Sequence, residues 1–129
     1  NVSTVKDIAV GVSHACAIGS AGIQCWGSNT YGQAPSTVTT SNSQLQSGDI
    51  PLKVVAGEKH SCTLVQAGAG KAVRCWGDNS KGQKTIPTLP QPQRIAAGNN
   101  HTCVVSGNFS AGNNSVICWG DNSLYQTTL

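Results

Sequence analysis

Ile8-Ala-Val-Gly-Val-Ser-His-Ala-Cys-Ala-Ile18 returns as Val54-Val-Ala-Gly-Glu-Lys-His-Ser-Cys-Thr-Leu64, and again as Ile95-Ala-Ala-Gly-Asn-Asn-His-Thr-Cys-Val-Val105. Each copy has a second half: Gln24-Cys-Trp-Gly-Ser-Asn-Thr-Tyr-Gly-Gln33, Arg74-Cys-Trp-Gly-Asp-Asn-Ser-Lys-Gly-Gln83 and Ile117-Cys-Trp-Gly-Asp-Asn-Ser-Leu-Tyr-Gln126. His60 follows His14 by 46 residues and His101 follows His60 by 41, which is the length of one four-stranded propeller blade. Paired helices would place apolar residues every three or four positions. Here Gly and β-branched residues interrupt each short apolar run instead. The fold class is all-β, a single domain over 1–129 made of three propeller-type blades at 5–33, 52–83 and 93–126.

Side chains alternate along a strand, so His, Cys and the apolar residue two places beyond the Cys share one face. A Gly-containing turn then leads to the strand that carries Cys-Trp, which is a hairpin signature. The two cysteines of a unit face each other across that hairpin. Between them lie 8, 12 and 14 residues, and the growth is confined to the polar tips at 19–22, 66–71 and 106–115. The bridges expected are Cys16 with Cys25, Cys62 with Cys75, and Cys103 with Cys118, each contributing about 3 kcal/mol by chain entropy. An even cysteine count in a Ser/Thr/Asn-rich chain points to an oxidising, extracellular compartment, and Asn1 at the start fits removal of an export signal. The Asn-x-Ser/Thr sequons at Asn1, Asn100, Asn108 and Asn113 are glycosylation acceptors if the source glycosylates its secreted proteins.

Composition narrows the function classes. The chain has 129 residues, 38 % of them hydrophobic and 10 % charged, with a net charge of +3. Its eight Lys and Arg form no run, so no polyanion-binding patch and no nucleic-acid partner are expected. No apolar run approaches the roughly 20 residues needed to cross a bilayer as a helix. Catalysis finds little support. The five carboxylates Asp7, Asp49, Glu58, Asp78 and Asp121 form no evident acid–base pair, and the expected bridges consume every thiol. The three His-x-Cys pairs lack the close Cys-x-x-Cys spacing common in zinc modules, so neither a metal nor another cofactor is expected.

A residue type that returns in all three copies serves what the copies share. His14, His60 and His101 are expected to cap turns by bonding to backbone between blades. Trp26, Trp76 and Trp119 are expected to wedge between neighbouring sheets. Gly27, Gly77 and Gly120 are expected as turn formers able to take positive φ.

The combined pattern, apolar-Ala-x-Gly-x-x-His-x-Cys-x-apolar with Cys-Trp-Gly-x-Asn-x-x-Gly-Gln, resembles the regulator of chromosome condensation repeat family. Its cysteine-bearing form is similar to that of secreted bacterial proteins and plant receptor-kinase ectodomains. Thr85-Ile86-Pro87 after Lys81-Gly82-Gln83-Lys84 also resembles propeller-type β-lactamase inhibitory proteins. The resemblance implies a propeller, commonly of about seven blades, and the nuclear exchange-factor role of the founding member does not carry over to a disulfide-bonded chain. Tyr125 departs from the pattern, standing where the other copies have Gly32 and Gly82. Three blades leave apolar faces and sheet edges to cover, by a homo-oligomer, by a longer chain, or by the segment 34–48. A homo-oligomer is the expectation adopted. That polar segment is otherwise expected to be a solvated loop, a linker or a glycan-binding edge.

Positions that differ between copies are where a partner is read. They are Tyr31, Lys59, Lys81, Asn99, Leu124 and Tyr125, on the turns before each His and after each Trp-Gly. In the inhibitory propellers such turns supply aromatic contacts to a protein target, which matches Tyr31 and Tyr125. The function expected is a secreted, non-catalytic module binding an extracellular protein or glycan. The alternatives are a structural subunit of an extracellular assembly and, third, an inhibitor of a secreted or periplasmic enzyme.

Overall fold

The computed structural model describes residues 4–108 and 110–128. Among them are nine strands and no helix: β1 (Asp7–Val10), β2 (His14–Gly19), β3 (Gly22–Gly27), β4 (Ile50–Ala56), β5 (His60–Ala67), β6 (Gly70–Gly77), β7 (Pro92–Ala97), β8 (His101–Asn108) and β9 (Asn113–Gly120). They form three antiparallel sheets in sequence order, β1-β2-β3, β4-β5-β6 and β7-β8-β9. Each sheet is one blade.

Register follows from the cysteines. Cys16 lies opposite Cys25, Cys62 opposite Cys75, and Cys103 opposite Cys118. All three pairs are bridged, with Cα atoms 4.0, 4.0 and 4.1 Å apart. The variable hairpin tips lie at one end of the blade, where extra residues lengthen the hairpin without moving the bridge. At the other end His14, His60 and His101 pair with Gly27, Gly77 and Gly120, whose φ angles of 100°, 104° and 107° suit glycine alone.

The sheets have three strands, not the four that the repeat length suggests. Where a fourth strand would run, the chain between blades covers the outer edge irregularly. Cys25 N donates to Pro35 O, and Val38 N to Ile23 O. Farther along, Gln44 N donates to Cys75 O while its side-chain Oε1 accepts from Cys75 N. Ala34 and Val38 are buried in the core cluster of the first junction, against which Leu45 also packs. The segment 34–48 is therefore not a solvated linker: it satisfies edge backbone of two blades and closes their core. Asp49 ends it with a carboxylate 2.9 Å from Arg74 Nε on β6. Burial pushes that carboxyl's pKa up, but the Arg74 hydrogen bond and charge outweigh it and hold it below its ordinary value.

Blades stack face to face, and the core lies at the two junctions. At the first, Trp76 and Val54 of the second blade pack on Ile18, Ile23 and the Cys16–Cys25 bridge of the first. At the second, Trp119 and Val104 pack on Leu64, Val73 and the Cys62–Cys75 bridge. The indoles are anchored as well as buried: Trp76 Nε1 donates to Gln33 O at 3.0 Å, and Trp119 Nε1 to Gln83 O at 2.9 Å. Trp26 does not wedge as expected, and is 49 % exposed on the outer face of the first blade.

The histidine rings reach hydroxyls of the next blade, with His14 Nε2 2.7 Å from Ser61 Oγ and His60 Nε2 3.0 Å from Thr102 Oγ1. Ser61 spends its only proton on Gln33 O at 3.1 Å, so His14 Nε2 must be the donor. His14 Nδ1 is buried without a hydrogen-bond partner, as is His60 Nδ1.

The Gly before each His is explained by crowding at these junctions. A Cβ on Gly57 would sit 2.4 Å from His60 Cε1 and 2.6 Å from the Gly98 carbonyl oxygen of the next blade. One contact is with backbone, so the junction would have to open. Gly57→Ala is predicted to lower stability by about 2 kcal/mol, read as a shifted urea midpoint. Gly70→Ala, where an added Cβ meets nothing within 4 Å, should be near neutral. Equal effects of the two would refute this account.

Candidate functional site: the turn rim

The turns before His and after Trp-Gly meet at the same end of each blade. Ser28 N donates to Ser13 O, Asp78 N to Lys59 O, and Asp121 N to Asn100 O. Neighbouring blades are tied there too, Val12 N to Gly57 O and Glu58 N to Asn99 O. The result is one continuous rim.

Repeated residues hold the rim's shape. Gln33, Gln83 and Gln126 each cap the turn through Oε1, accepting from the backbone N of Tyr31, Lys81 and Leu124. Asn29, Asn79 and Asn122 accept through Oδ1 from Ala34, Lys84 and Thr127 N. Asp78 and Asp121 bond Ser80 and Ser123, which holds both carboxyls below their ordinary pKa; the largest cause is the Ser80 hydroxyl for Asp78 and the Ser123 backbone N–H for Asp121. They are turn acceptors.

Variable residues stand on this frame. Tyr31 is exposed, and Lys59 of the second blade places its Nζ 4.6 Å from the Tyr31 ring centroid. Tyr31, foremost, and then Glu58 and Asp78 keep the Lys59 ammonium above its ordinary pKa. Lys81 lies within electrostatic reach of Asp121 on the third blade. Leu124 and Tyr125 are the most open apolar side chains, 82 % and 77 % exposed. Tyr125 has φ of 63°, the left-handed conformation that Gly32 and Gly82 occupy at φ 80° and 77°. Asn99 differs from these, because its carbonyl is engaged in the tie to Glu58. Exposed Val12 also belongs to the rim.

The structure does not bring all sequence-derived positions together. Tyr31 and Lys59 touch, whereas Leu124 and Tyr125 sit two blades away from Tyr31. Two of the sequons lie away from the rim: Asn108 and Asn113 are exposed and opposed across the β8–β9 tip. Asn100 is half-buried, and its sequon hydroxyl Thr102 is fully buried against His60. Asn1 lies outside the described residues. At the tip end, a polar groove of about 520 Å³ runs between the second and third blades. Its described lining includes Gln66, Lys71, Gln93 and Asn108, and contains no carboxylate, histidine or thiol. No group of three or more His, Cys, Asp or Glu is placed to hold a metal ion among the described residues.

Stacked three-stranded blades, each sealed by the tryptophan of the next, define a propeller-type repeat protein. Residues 5–33 and 52–83 match the Regulator of chromosome condensation (RCC1) repeat, and the third unit carries the same His-x-Cys and Cys-Trp-Gly-x-Asn letters. Two of the three units thus carry the RCC1 repeat, and the fold agrees with it. It is similar in fold to a chain in the crystal structure of Kap60 bound to yeast RCC1 (Prp20), with 21 % identity, a TM-score of 0.75, and 98 % of this chain and 34 % of that chain covered. Human WBSCR16 is similar at 16 % identity and TM-score 0.67, covering 92 % of this chain and 35 % of that one. The ectodomain of the Physcomitrella patens receptor kinase CR4 is similar at 22 % identity and TM-score 0.62, covering 94 % and 34 %. The chain thus spans about a third of each of these structures. No curated protein matches the sequence.

Proposed function

We propose that the protein is a non-catalytic, extracellular binding module that recognises a protein partner through its turn rim. The observation that carries this reading is Tyr125. An L-residue at φ 63° costs about 1 kcal/mol or more, and the other two copies avoid that cost with Gly. Backbone strain kept at an exposed aromatic, beside an exposed Leu, suits a contact surface better than a scaffold role. Tyr31 with its Lys59 partner adds a second aromatic anchor, the type that dominates protein interfaces. Kap60 bound to yeast RCC1 is a protein–protein complex of a chain with a similar fold, which favours this partner class over a glycan. Three disulfides fit an oxidising, extracellular location.

The test separates strain from binding. Tyr125→Gly is predicted to raise stability by up to about 1 kcal/mol, seen as a higher Tm, while weakening partner capture at least tenfold. Tyr31→Ala should weaken capture similarly with little change in Tm. The capture uses the oxidised protein on a resin against extracellular fluid of the source, with Lys71→Ser at the opposite end as control. Capture that survives both rim changes but not the control would move the site to the tip groove and favour a glycan.

A further inference from the structure

Both internal junctions use the same contacts. The later blade contributes a tryptophan and a hydroxyl: Trp76 with Ser61, then Trp119 with Thr102. The earlier blade contributes a histidine, a disulfide face and a glutamine carbonyl: His14 with Gln33 O, then His60 with Gln83 O. Contact buries the indole to 1 % and 6 % exposure. Each blade therefore has an indole face and a histidine–disulfide face.

Two such faces stand unfilled. On the outside of the first blade, Trp26 Nε1 has no acceptor among the described residues. A recess of about 260 Å³ lies beside it, lined in part by Val10, Val12 and Ala15. Exposed Ile8 extends this apolar face. On the outside of the third blade, the Cys103–Cys118 bridge is half-buried where the other two are buried, and Val116 beside it is exposed. Neither the His101 ring nor the Gln126 carbonyl has a hydrogen-bond partner among the described residues. All but one of the groups missing from one face are present on the other.

We propose that the third blade of one copy docks on the first blade of a second copy, head to tail, repeating the internal junction between chains. Trp26 Nε1 of the second copy donates to Gln126 O of the first, and the indole covers the first copy's Cys103–Cys118 bridge. The surface shares Val12 and Gln126 with the edge of the turn rim but does not depend on the rim's function. One group is unmatched. Ala15 occupies the position of Ser61 and Thr102, so the incoming His101 finds no hydroxyl, and this junction is weaker than the internal ones.

That mismatch supplies the test. Sedimentation velocity on the oxidised protein from micromolar to millimolar concentration should show mass rising with concentration, accompanied by a blue shift of tryptophan emission as Trp26 is covered. Ala15→Ser should tighten association about fivefold by restoring the hydroxyl. Trp26→Ala and Val116→Asp should each be monomeric, yet mixed together they should form one-to-one pairs, since each retains the face that the other lacks. Val116→Lys replaces Val116→Asp if circular dichroism shows the latter misfolded. A wild type monomeric throughout, self-association of Val116→Asp alone, an inert mixture, or an Ala15→Ser protein no tighter than wild type would each overturn the proposal.

Discussion

Trp76→Ala should cost about 4 kcal/mol, whereas the same substitution at Trp26 in dilute solution should cost less than about 1 kcal/mol. The two positions are equivalent in the repeat and differ only in what covers them. Trp76 is 1 % exposed, packed on the Cys16–Cys25 bridge, Ile18 and Ile23, while Trp26 is half open. Truncating Trp76 leaves a cavity in the middle of the first junction that a disulfide-bonded sheet cannot collapse to fill. The Gln33 carbonyl keeps one donor, the Ser61 hydroxyl, so the penalty is mainly lost packing rather than an orphaned acceptor. Trp119→Ala should resemble Trp76→Ala, with an added penalty because no second donor to Gln83 O is seen among the described residues. Four kcal/mol is a large share of the roughly 5–15 kcal/mol that holds a domain together. In an array whose blades touch only their neighbours, the loss should also uncouple the first blade from the other two. Urea unfolding followed by far-UV circular dichroism should then show an early, separate transition for Trp76→Ala and none for Trp26→Ala. Equal losses at the two positions would mean that the junctions are not where the stability resides.

The parts legible in sequence are those that recur with the period. Cys opposite Cys and Gly at positive φ both act within one blade, so three copies make the same statement three times. What escaped depends on contacts between blades. The partner of each histidine is the residue after the next histidine, Ser61 or Thr102, and in one copy that position is Ala15. Read along the chain, Ala, Ser and Thr look like neutral drift; across a junction they are the presence or absence of a hydroxyl. The exposure of Trp26 escaped for the same reason, since burial there is decided by a neighbouring face rather than by its own strand. The segment 34–48 has no alternation to read because it pairs through scattered backbone atoms and one glutamine side chain. At the rim, Tyr125 was visible as a departure from the pattern, whereas the stacking of Lys59 on Tyr31 joins two blades and needed the structure.

Acid should weaken the protein well above the range where carboxylates titrate. His60 is fully buried, and burial, followed by the nearby imidazoles of His14 and His101, lowers its pKa from 6.5 to about 4; Asp78 and the Asn99 backbone oppose this more weakly. Its Nδ1 has no hydrogen-bond partner in the folded state. The sign follows from comparing the two states. Between pH 6.5 and about 4 the unfolded chain holds a proton on this residue that the folded chain refuses, so stability is complete above pH 6.5 and falls as pH drops through that window. The full loss from His60 is about 3 kcal/mol by pH 4. His14, lowered chiefly by burial, adds a loss of the same sign. Both rings sit at junctions, so blade separation rather than loss of the individual hairpins should lead the transition, the disulfides holding each hairpin together. The check is a series of urea midpoints from pH 7.5 to 4.5 on wild type and His60→Gln. Wild type should lose stability steadily below pH 6.5, and His60→Gln, though less stable at pH 7.5, should show a much shallower slope. A wild-type profile flat down to pH 4.5 would place the His60 proton affinity near that of free imidazole and remove the buried, unpartnered nitrogen from the account.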